Sequence, residues 1–322
     1  MTTDSPVYVD NSILTKVAVC DTATVIRYVQ GYASRAEKAT LNSGTAGHEA
    51  MAVYFTTGDA QLALDKFTEM YAEWSQANVP PEDGRSYENC YACLTTWFDN
   101  HPVNKLPFVV VPEWVEIGFS FPLTDDGHYI FVGRIDAIVR DLETDHLRIL
   151  DHKFTGRVDG RFAKGFTMDS QFSGYIWAGQ QQLNTPIDGG FVNGVEFSKL
   201  PSDPQRKCPK HGVVYAECGF LHANSKIIYV NRTPQHIARW KSVAISLAKR
   251  YEELATKYAI PEVIPAVKQQ GQFVYGACGM CDAYDFCASG RPAHMIDSLF
   301  QQSPWTPWLN ARGELEGSDN GK

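Results

Sequence analysis

No run of about eighteen apolar residues occurs in the chain, so no membrane-spanning helix is expected. The opening residues, Met1 to Asp10, lack both the basic and the apolar stretch of a secretory signal, and a cytoplasmic location is expected. In that compartment eight cysteines are better read as reduced, metal-bound or catalytic thiols than as disulfides. Positive charge is in short supply. With 29 Lys and Arg against 37 Asp and Glu, the net charge of −8 excludes a uniformly basic surface but not a basic groove. A Gly-rich phosphate loop ending in Gly-Lys-Ser or Gly-Lys-Thr is missing, and no internal repeat is found. What is present is an ordinary globular composition, 44% hydrophobic and 20% charged over 322 residues. That length builds a substantial core in one large or two modest domains.

Two neighbouring segments carry the chemistry. Phe131-Val-Gly-Arg-Ile-Asp136-Ala-Ile-Val-Arg140 and Arg148-Ile-Leu-Asp151-His-Lys153-Phe read as strands, joined by the polar turn Asp141 to Asp145. Alternation places Asp151 and Lys153 on one face, and a paired strand can bring Asp136 to the same face. Two carboxylates and a lysine among Ile, Leu and Val are costly to bury without a purpose. They suit a hard divalent cation, Mg²⁺ or Mn²⁺, with an ammonium placed to orient water or offset developing charge. The competing reading is an ion pair on a half-exposed strand. Just beyond, Arg157, Arg161 and Lys164, diluted by Asp159, form either a solvated loop or a phosphate track.

Elsewhere the periodicity predicts mostly helices. Residues 13–39 contain helix-like spacing in their second half, with Cys20 before it and Asp21 or Thr22 as a cap. Asn42-Ser-Gly44-Thr-Ala-Gly47-His48 reads as a turn opening a helix, with His48 in its first turn. Amphipathic helices are expected over 59–78 and 86–100, the second holding Cys90 and Cys93 as core residues rather than a metal half-site. Pro107 to Pro122 reads as a strand with Glu116 opposite its apolar stripe. A helix over 167–183 puts Gln171 and Tyr175 on one face. Gly190 to Phe197 and Lys226 to Val230 read as partner strands. Between them Cys208, His211, Cys218 and His222 form either a small zinc site or an incidental surface hairpin. Thr233 and Pro234 start a long helix that ends before Pro261. The tail from Trp308, rich in Gly, Glu, Asp and Asn, reads as disordered.

Cys278-Gly-Met-Cys281-Asp-Ala-Tyr-Asp-Phe-Cys287 lies in a Gly-rich segment without an apolar face, which points to thiolate ligation. Zinc and a cubane iron–sulfur cluster each need four ligands. The spacing does not choose between them, and the fourth cysteine is open among Cys20, Cys90, Cys93, Cys208 and Cys218.

Taken together, Gly44–x–x–x–His48, Glu116, Gly133-Arg-Ile-Asp136, Asp151-His-Lys153, Gln171-Phe-Ser-Gly-Tyr175 and the flanking cysteines occur in an order that resembles one family. It is the RecB-like branch of the PD-(D/E)XK nucleases, in particular its members with an iron–sulfur cluster. These include CRISPR-associated exonucleases, the AddB nuclease domain and related phage exonucleases. The resemblance spans roughly residues 13 to 290. It implies an α/β restriction-endonuclease-like core, a mixed central sheet flanked by helices, with an N-terminal helical region and a C-terminal cysteine segment. The corresponding ranges are 1–110, 111–260 with an insertion at 198–225, and 261–322.

The resemblance further implies Mg²⁺ or Mn²⁺ held by His48, Asp136, Asp151 and the His152 carbonyl, with Lys153 and Glu116 catalytic and Gln171 and Tyr175 in support. It implies a [4Fe-4S] cluster on Cys20, Cys278, Cys281 and Cys287, and DNA contacts from Arg157, Arg161 and Lys164. The expected activity is exonucleolytic hydrolysis of single-stranded or end-frayed DNA in recombination, repair or phage DNA metabolism. A helicase or recombination partner would supply any unwinding. The alternative is a non-catalytic DNA-end-binding or assembly subunit of a recombination or CRISPR adaptation complex. Two features depart from the family pattern. Cys20 is followed by Asp-Thr rather than by Pro and a basic residue, and the 198–225 insertion is not required.

Overall fold

The computed structural model describes residues 5–35, 39–74, 79, 83–197, 205, 207, 212–214, 225–260 and 267–307. Cys208, His211, Cys218 and His222, and the tail from Trp308, lie outside the described residues. In chain order the elements are β1 (Val7–Val9), α1 (Asn11–Val19), α2 (Asp21–Thr24), β2 (Tyr32–Ser34), α3 (Ala39–Thr57), α4 (Ala60–Trp74), α5 (Tyr87–Asn100) and β3 (Phe108–Pro122). They continue with β4 (Tyr129–Asp141), β5 (Leu147–Thr155), α6 (Gly160–Gly165), α7 (Ser170–Leu183), β6 (Gly189–Glu196) and β7 (Ser225–Asn231). The described chain closes with α8 (Pro234–Lys257), α9 (Tyr284–Ala288), α10 (Ile296–Leu299) and β8 (Phe300–Gln302). The architecture is α/β, a mixed central sheet flanked by helices. Among the described residues no helix is long and apolar enough to cross a membrane.

Two compact units interleave the three consecutive segments laid out above. One gathers Met1–Glu37, Ile117–Arg134 and Thr233–Lys322, the other Lys38–Glu116 and Ile135–Arg232.

In the second unit the strands run β4-β5-β6-β7: antiparallel, parallel, antiparallel. A parallel pair cannot be joined by a tight hairpin, and α6 and α7 supply the crossover from β5 to β6. One face of the strands contributes Ala137, Val139, Leu150 and Val195 to a core with Met51, Phe55, Phe67, Leu94 and Trp97 from α3, α4 and α5. Each such large side chain, once buried, contributes roughly 1.5–3 kcal/mol. Cys90 and Cys93 belong to this core, which accords with the packing role read for them. The opposite face receives α7. A Cβ at Gly179 would lie 2.9 Å from Ile149 and 3.0 Å from Ile187, so glycine sets how closely the helix lies on the strand. Helix starts follow their caps. Ser86 accepts from the Asn89 N–H ahead of α5, and Asp169 from the Phe172 N–H ahead of α7.

In the first unit β1 pairs in parallel with the start of β4, Val7 opposite Tyr129. Thr233 caps α8 and Pro234 opens it, as the sequence predicts, and the His236 ring completes a capping box. The apolar stripe of α8 buries Ile237, Trp240, Ala244, Ala248 and Leu254, with Trp240 edge-on to Phe131 at 5.1 Å. β2 pairs antiparallel with β8 beside a small core of Ile26, Ala283, Phe286, Ile296 and Phe300.

Four expectations are corrected. Gly44 to His48 do not form a turn: α3 runs through them, and His48 lies well inside it. Gly47 is needed for close approach, because a Cβ there would sit 2.6 Å from the Phe154 ring. Neither Asp21 nor Thr22 caps a helix by its side chain; Asp21 pairs with Arg250, and the Thr22 hydroxyl donates to the Lys268 carbonyl at 2.8 Å. The even alternation read along β3 breaks at Glu116, whose φ of +54° is left-handed. The cysteine segment also has an apolar side after all, since Ala283 and Phe286 are buried.

A Cβ at Gly190 would fall 2.1 Å from the Ile149 carbonyl oxygen, a backbone atom of the ladder. Gly190→Ala is therefore expected to cost about 3 kcal/mol by urea unfolding, the upper end for overpacking. Gly47→Ala, which meets a ring that can shift, is expected to cost less.

Candidate active site

The paired register of β4 and β5 runs from Arg140 opposite Leu147 to Ala137 opposite Leu150, so Asp136 and Asp151 occupy the next position. There the Asp136 carboxylate takes the strand's place: the His152 backbone N–H donates to Asp136 Oδ2 at 2.7 Å. The same oxygen lies 3.2 Å from Nδ1 of His48 on α3. On β5, Lys153 Nζ pairs with Asp151 Oδ1 at 2.7 Å, as alternation requires. Asp151 is 2% exposed, and its other oxygen, Oδ2, is buried with no hydrogen-bond partner among the described residues.

These placements divide the two acids. Burial opposes ionisation of Asp136, but the His48 ring and the Lys153 ammonium hold it well below the usual carboxylate range. Burial pushes Asp151 up to about 6, reinforced by the Asp136 charge and only partly offset by Lys153. Burial would lower both His48 and Lys153; the neighbouring carboxylates reverse this and raise them. His152 behaves differently. Its ring faces the helical core, stacks on Phe55 at 5.1 Å, and is pushed down to about 3 by burial. Asn193 donates to its Nδ1 (3.0 Å) while accepting from Trp97 Nε1 (3.1 Å), which makes Nδ1 the unprotonated nitrogen. The ring is a neutral, structural group.

The remaining expected residues are distributed unevenly. Gln171 Nε2 donates to the Tyr175 hydroxyl at 2.8 Å along one face of α7. Arg157, Arg161 and Lys164 are all exposed, the last two on α6. Asp159, which dilutes them in sequence, caps α6 by accepting from the Arg161 and Phe162 N–H groups. Glu116 is not among the principal charges acting on Asp136 or Asp151. It lines an open groove with Ala52, Val53, Thr56 and Val115.

Sequence reasoning missed three supports. One is Asn193. Another is Asp169, whose charge also acts on Lys153; an Asp just before an apolar helical pattern is a readable cap signal. The third is Arg232, buried, donating to the Ser173 hydroxyl (2.8 Å) and to the Phe166 (2.8 Å) and Asp169 (3.2 Å) carbonyls.

In the first unit Cys20 lies between α1 and α2, buried against Gly271, where a Cβ would approach Cys20 Sγ to 3.2 Å. Burial, together with the thiols of Cys281, Cys20 and Cys278, pushes the Cys287 thiol up to about 11. Cys281, Cys20 and Cys278 are thus each within electrostatic reach of Cys287. Cys281 and Cys287 pack against the Phe286 core.

Among the described residues no three His, Cys, Asp or Glu side chains are arranged, as they stand, to hold a metal ion. At the acidic site Asp136 is turned to His48 and His152, and one Asp151 oxygen to Lys153. One atom of the set is open to a hard cation: the orphaned Asp151 Oδ2, an oxygen without a hydrogen-bond partner among the described residues. Compared with protein-family models and with curated proteins, the chain matches none.

Because Asp151 holds its proton more tightly folded than unfolded, folding takes up protons between its ordinary 3.8 and about 6. This stabilisation is complete below that window and lost as pH rises through it. In EDTA the melting temperature of the wild type is expected to fall relative to Asp151→Asn between about pH 4 and pH 7. Above that range Mn²⁺ is expected to raise the wild type and leave Asp151→Asn unmoved. Equal shifts in both proteins would show that Asp151 is not a ligand.

Proposed function

We propose that the chain is a divalent-metal-dependent deoxyribonuclease of the RecB-like PD-(D/E)XK type, acting as an exonuclease on single-stranded or frayed DNA ends. The observation that carries this reading is the buried Asp151, paired with Lys153 through one oxygen and unpartnered at the other, opposite an ionised Asp136. A structural ion pair accounts for the first oxygen and leaves the second unexplained.

Asp136, Asp151, the His152 carbonyl and His48 would hold Mg²⁺ or Mn²⁺. Such an ion, when bound, polarises a phosphate and lowers the pKa of a water. With the ion absent, His48 keeps Asp136 ionised by its charge and hydrogen bond; as a ligand it would be neutral, its proton released when the ion binds. Lys153, held as an ammonium by Asp151 and Asp136, places positive charge where the phosphate accumulates negative charge. Gln171 and Tyr175 support the site or touch the DNA backbone. Arg157, Arg161 and Lys164 give the overall acidic chain a local run of exposed cations for phosphates. Cys20, Cys278, Cys281 and Cys287 would hold a [4Fe-4S] cluster that staples early and late segments of the first unit. The setting is cytoplasmic DNA recombination, repair or phage DNA metabolism, with a separate motor for any unwinding.

Anaerobically purified protein with Mn²⁺ is expected to degrade end-labelled single-stranded DNA. Asp151→Ala should abolish the activity, and Lys153→Ala should lower kcat by about 10²–10³-fold. Intact DNA after incubation with fully loaded wild type would refute the nuclease reading.

The cluster makes its own prediction. Iron and sulfide analysis is expected to give about four of each per chain in a brown preparation. Serine at any of the four cysteines should bleach it, whereas Cys90→Ser or Cys93→Ser should leave the iron content unchanged.

A further inference from the structure

Arg85 lies at the turn before α5, with its backbone pinned from both sides. Its N–H donates to Asp83 Oδ1 at 2.8 Å, and its carbonyl accepts from the Tyr71 hydroxyl. The side chain reaches the loop that leaves β5, where Nη2 stands 4.0 Å from the position a Cβ on Gly156 would take. Nη1 is withdrawn from solvent and, among the described residues, has no hydrogen-bond partner. A guanidinium is always charged and carries five donors, so leaving one hidden and unused is costly. Asp83 does not relieve it through the contact described, since its Oδ1 serves the backbone. Gly156 is exposed and interposes no side chain, and the exposed Arg157 follows directly. Nη2 of the same guanidinium stands at this exposed backbone opening beside a second cation, an arrangement that suits an oxyanion because guanidinium geometry matches phosphate oxygens.

We propose that Arg85, Gly156 and Arg157 form a subsite for one backbone phosphate of a nucleic-acid strand. Gly156 follows Lys153 by three residues, about 10 Å of extended chain, so the subsite takes a phosphate near the scissile one rather than the scissile one itself. The inference rests on the nuclease reading and adds a residue that the basic run after β5 does not contain.

The test is binding of a fluorescently labelled single-stranded oligonucleotide to Asp151→Ala protein, followed by anisotropy across a KCl series. Adding Arg85→Gln is expected to weaken binding about tenfold and to lower the slope of log K against log salt by about 0.7, one single-strand phosphate contact. Arg85→Lys should keep the slope while losing part of the affinity. Gly156→Glu, which sets a carboxylate beside the guanidinium, should weaken binding as much as Arg85→Gln without lowering the melting temperature. It decides the matter should Arg85→Gln fail to fold. Unchanged affinity and slope in Arg85→Gln, or in Gly156→Glu, would overturn the subsite and leave the nuclease reading standing. No DNA binding by Asp151→Ala protein would overturn both.

Discussion

The second unit depends on what happens where β4 and β5 stop pairing. Up to Ala137 opposite Leu150 the two strands are an ordinary antiparallel ladder. At the next position two carboxylates meet, and the His152 N–H is satisfied by Asp136 instead of by a backbone carbonyl. That exchange fixes the Asp136 side chain against β5. It leaves Asp151, buried on the same strand, facing a like charge, answered by Lys153 and more weakly by the His48 charge. The result is one carboxylate held ionised and one that resists ionisation.

The opposite side of β5 explains how this strain is borne. His152 points into the helical core, neutral and tied to Asn193, which is in turn tied to Trp97. A buried polar chain whose bonds are satisfied is rigid, and it holds the backbone from which Asp151 and Lys153 project. Glycines complete the arrangement. Gly47 lets α3 approach Phe154 closely enough for His48 to reach Asp136, and Gly179 lets α7 lie on Ile149. On the α7 side Arg232 binds the turn that presents Asp169, whose charge helps keep Lys153 an ammonium. The placement of His48, Asp151 and Lys153 therefore traces to glycines and to buried polar groups outside the acidic pair.

The cysteine centre follows a different principle. Cys20 and Cys287 are separated by most of the chain, and no strand pairing is described between Cys20 and the segment holding the other three cysteines. Polar contacts there include the Thr22 N–H and hydroxyl, both donating to the Lys268 carbonyl, and Arg291 Nη1, donating to the Val267 carbonyl at 2.7 Å. The proposed cluster would close this long loop at modest entropic cost, because that cost grows only slowly with length.

Local pattern sufficed for much of this. Alternation alone put Asp151 with Lys153, helical spacing put Gln171 with Tyr175, and Thr233-Pro234 announced α8, because each involves neighbours whose geometry is set by backbone period or capping. The same logic failed at Gly44 to His48, where two glycines read as a turn lie inside a helix and Gly47 serves its packing, and at Glu116, where a left-handed residue breaks the alternation. By itself the sequence determined the β4–β5 hairpin, its acidic pair and its lysine, and the helices on either side. Only the tertiary structure decided that the His48 ring pairs with the Asp136 carboxylate, that His152 turns inward to Asn193, that Cys20 comes within electrostatic reach of Cys287 and that Arg85 reaches Gly156. Those contacts join segments far apart in the chain, and which distant side chains meet is set by how closely helices and strands pack, a quantity no local period encodes.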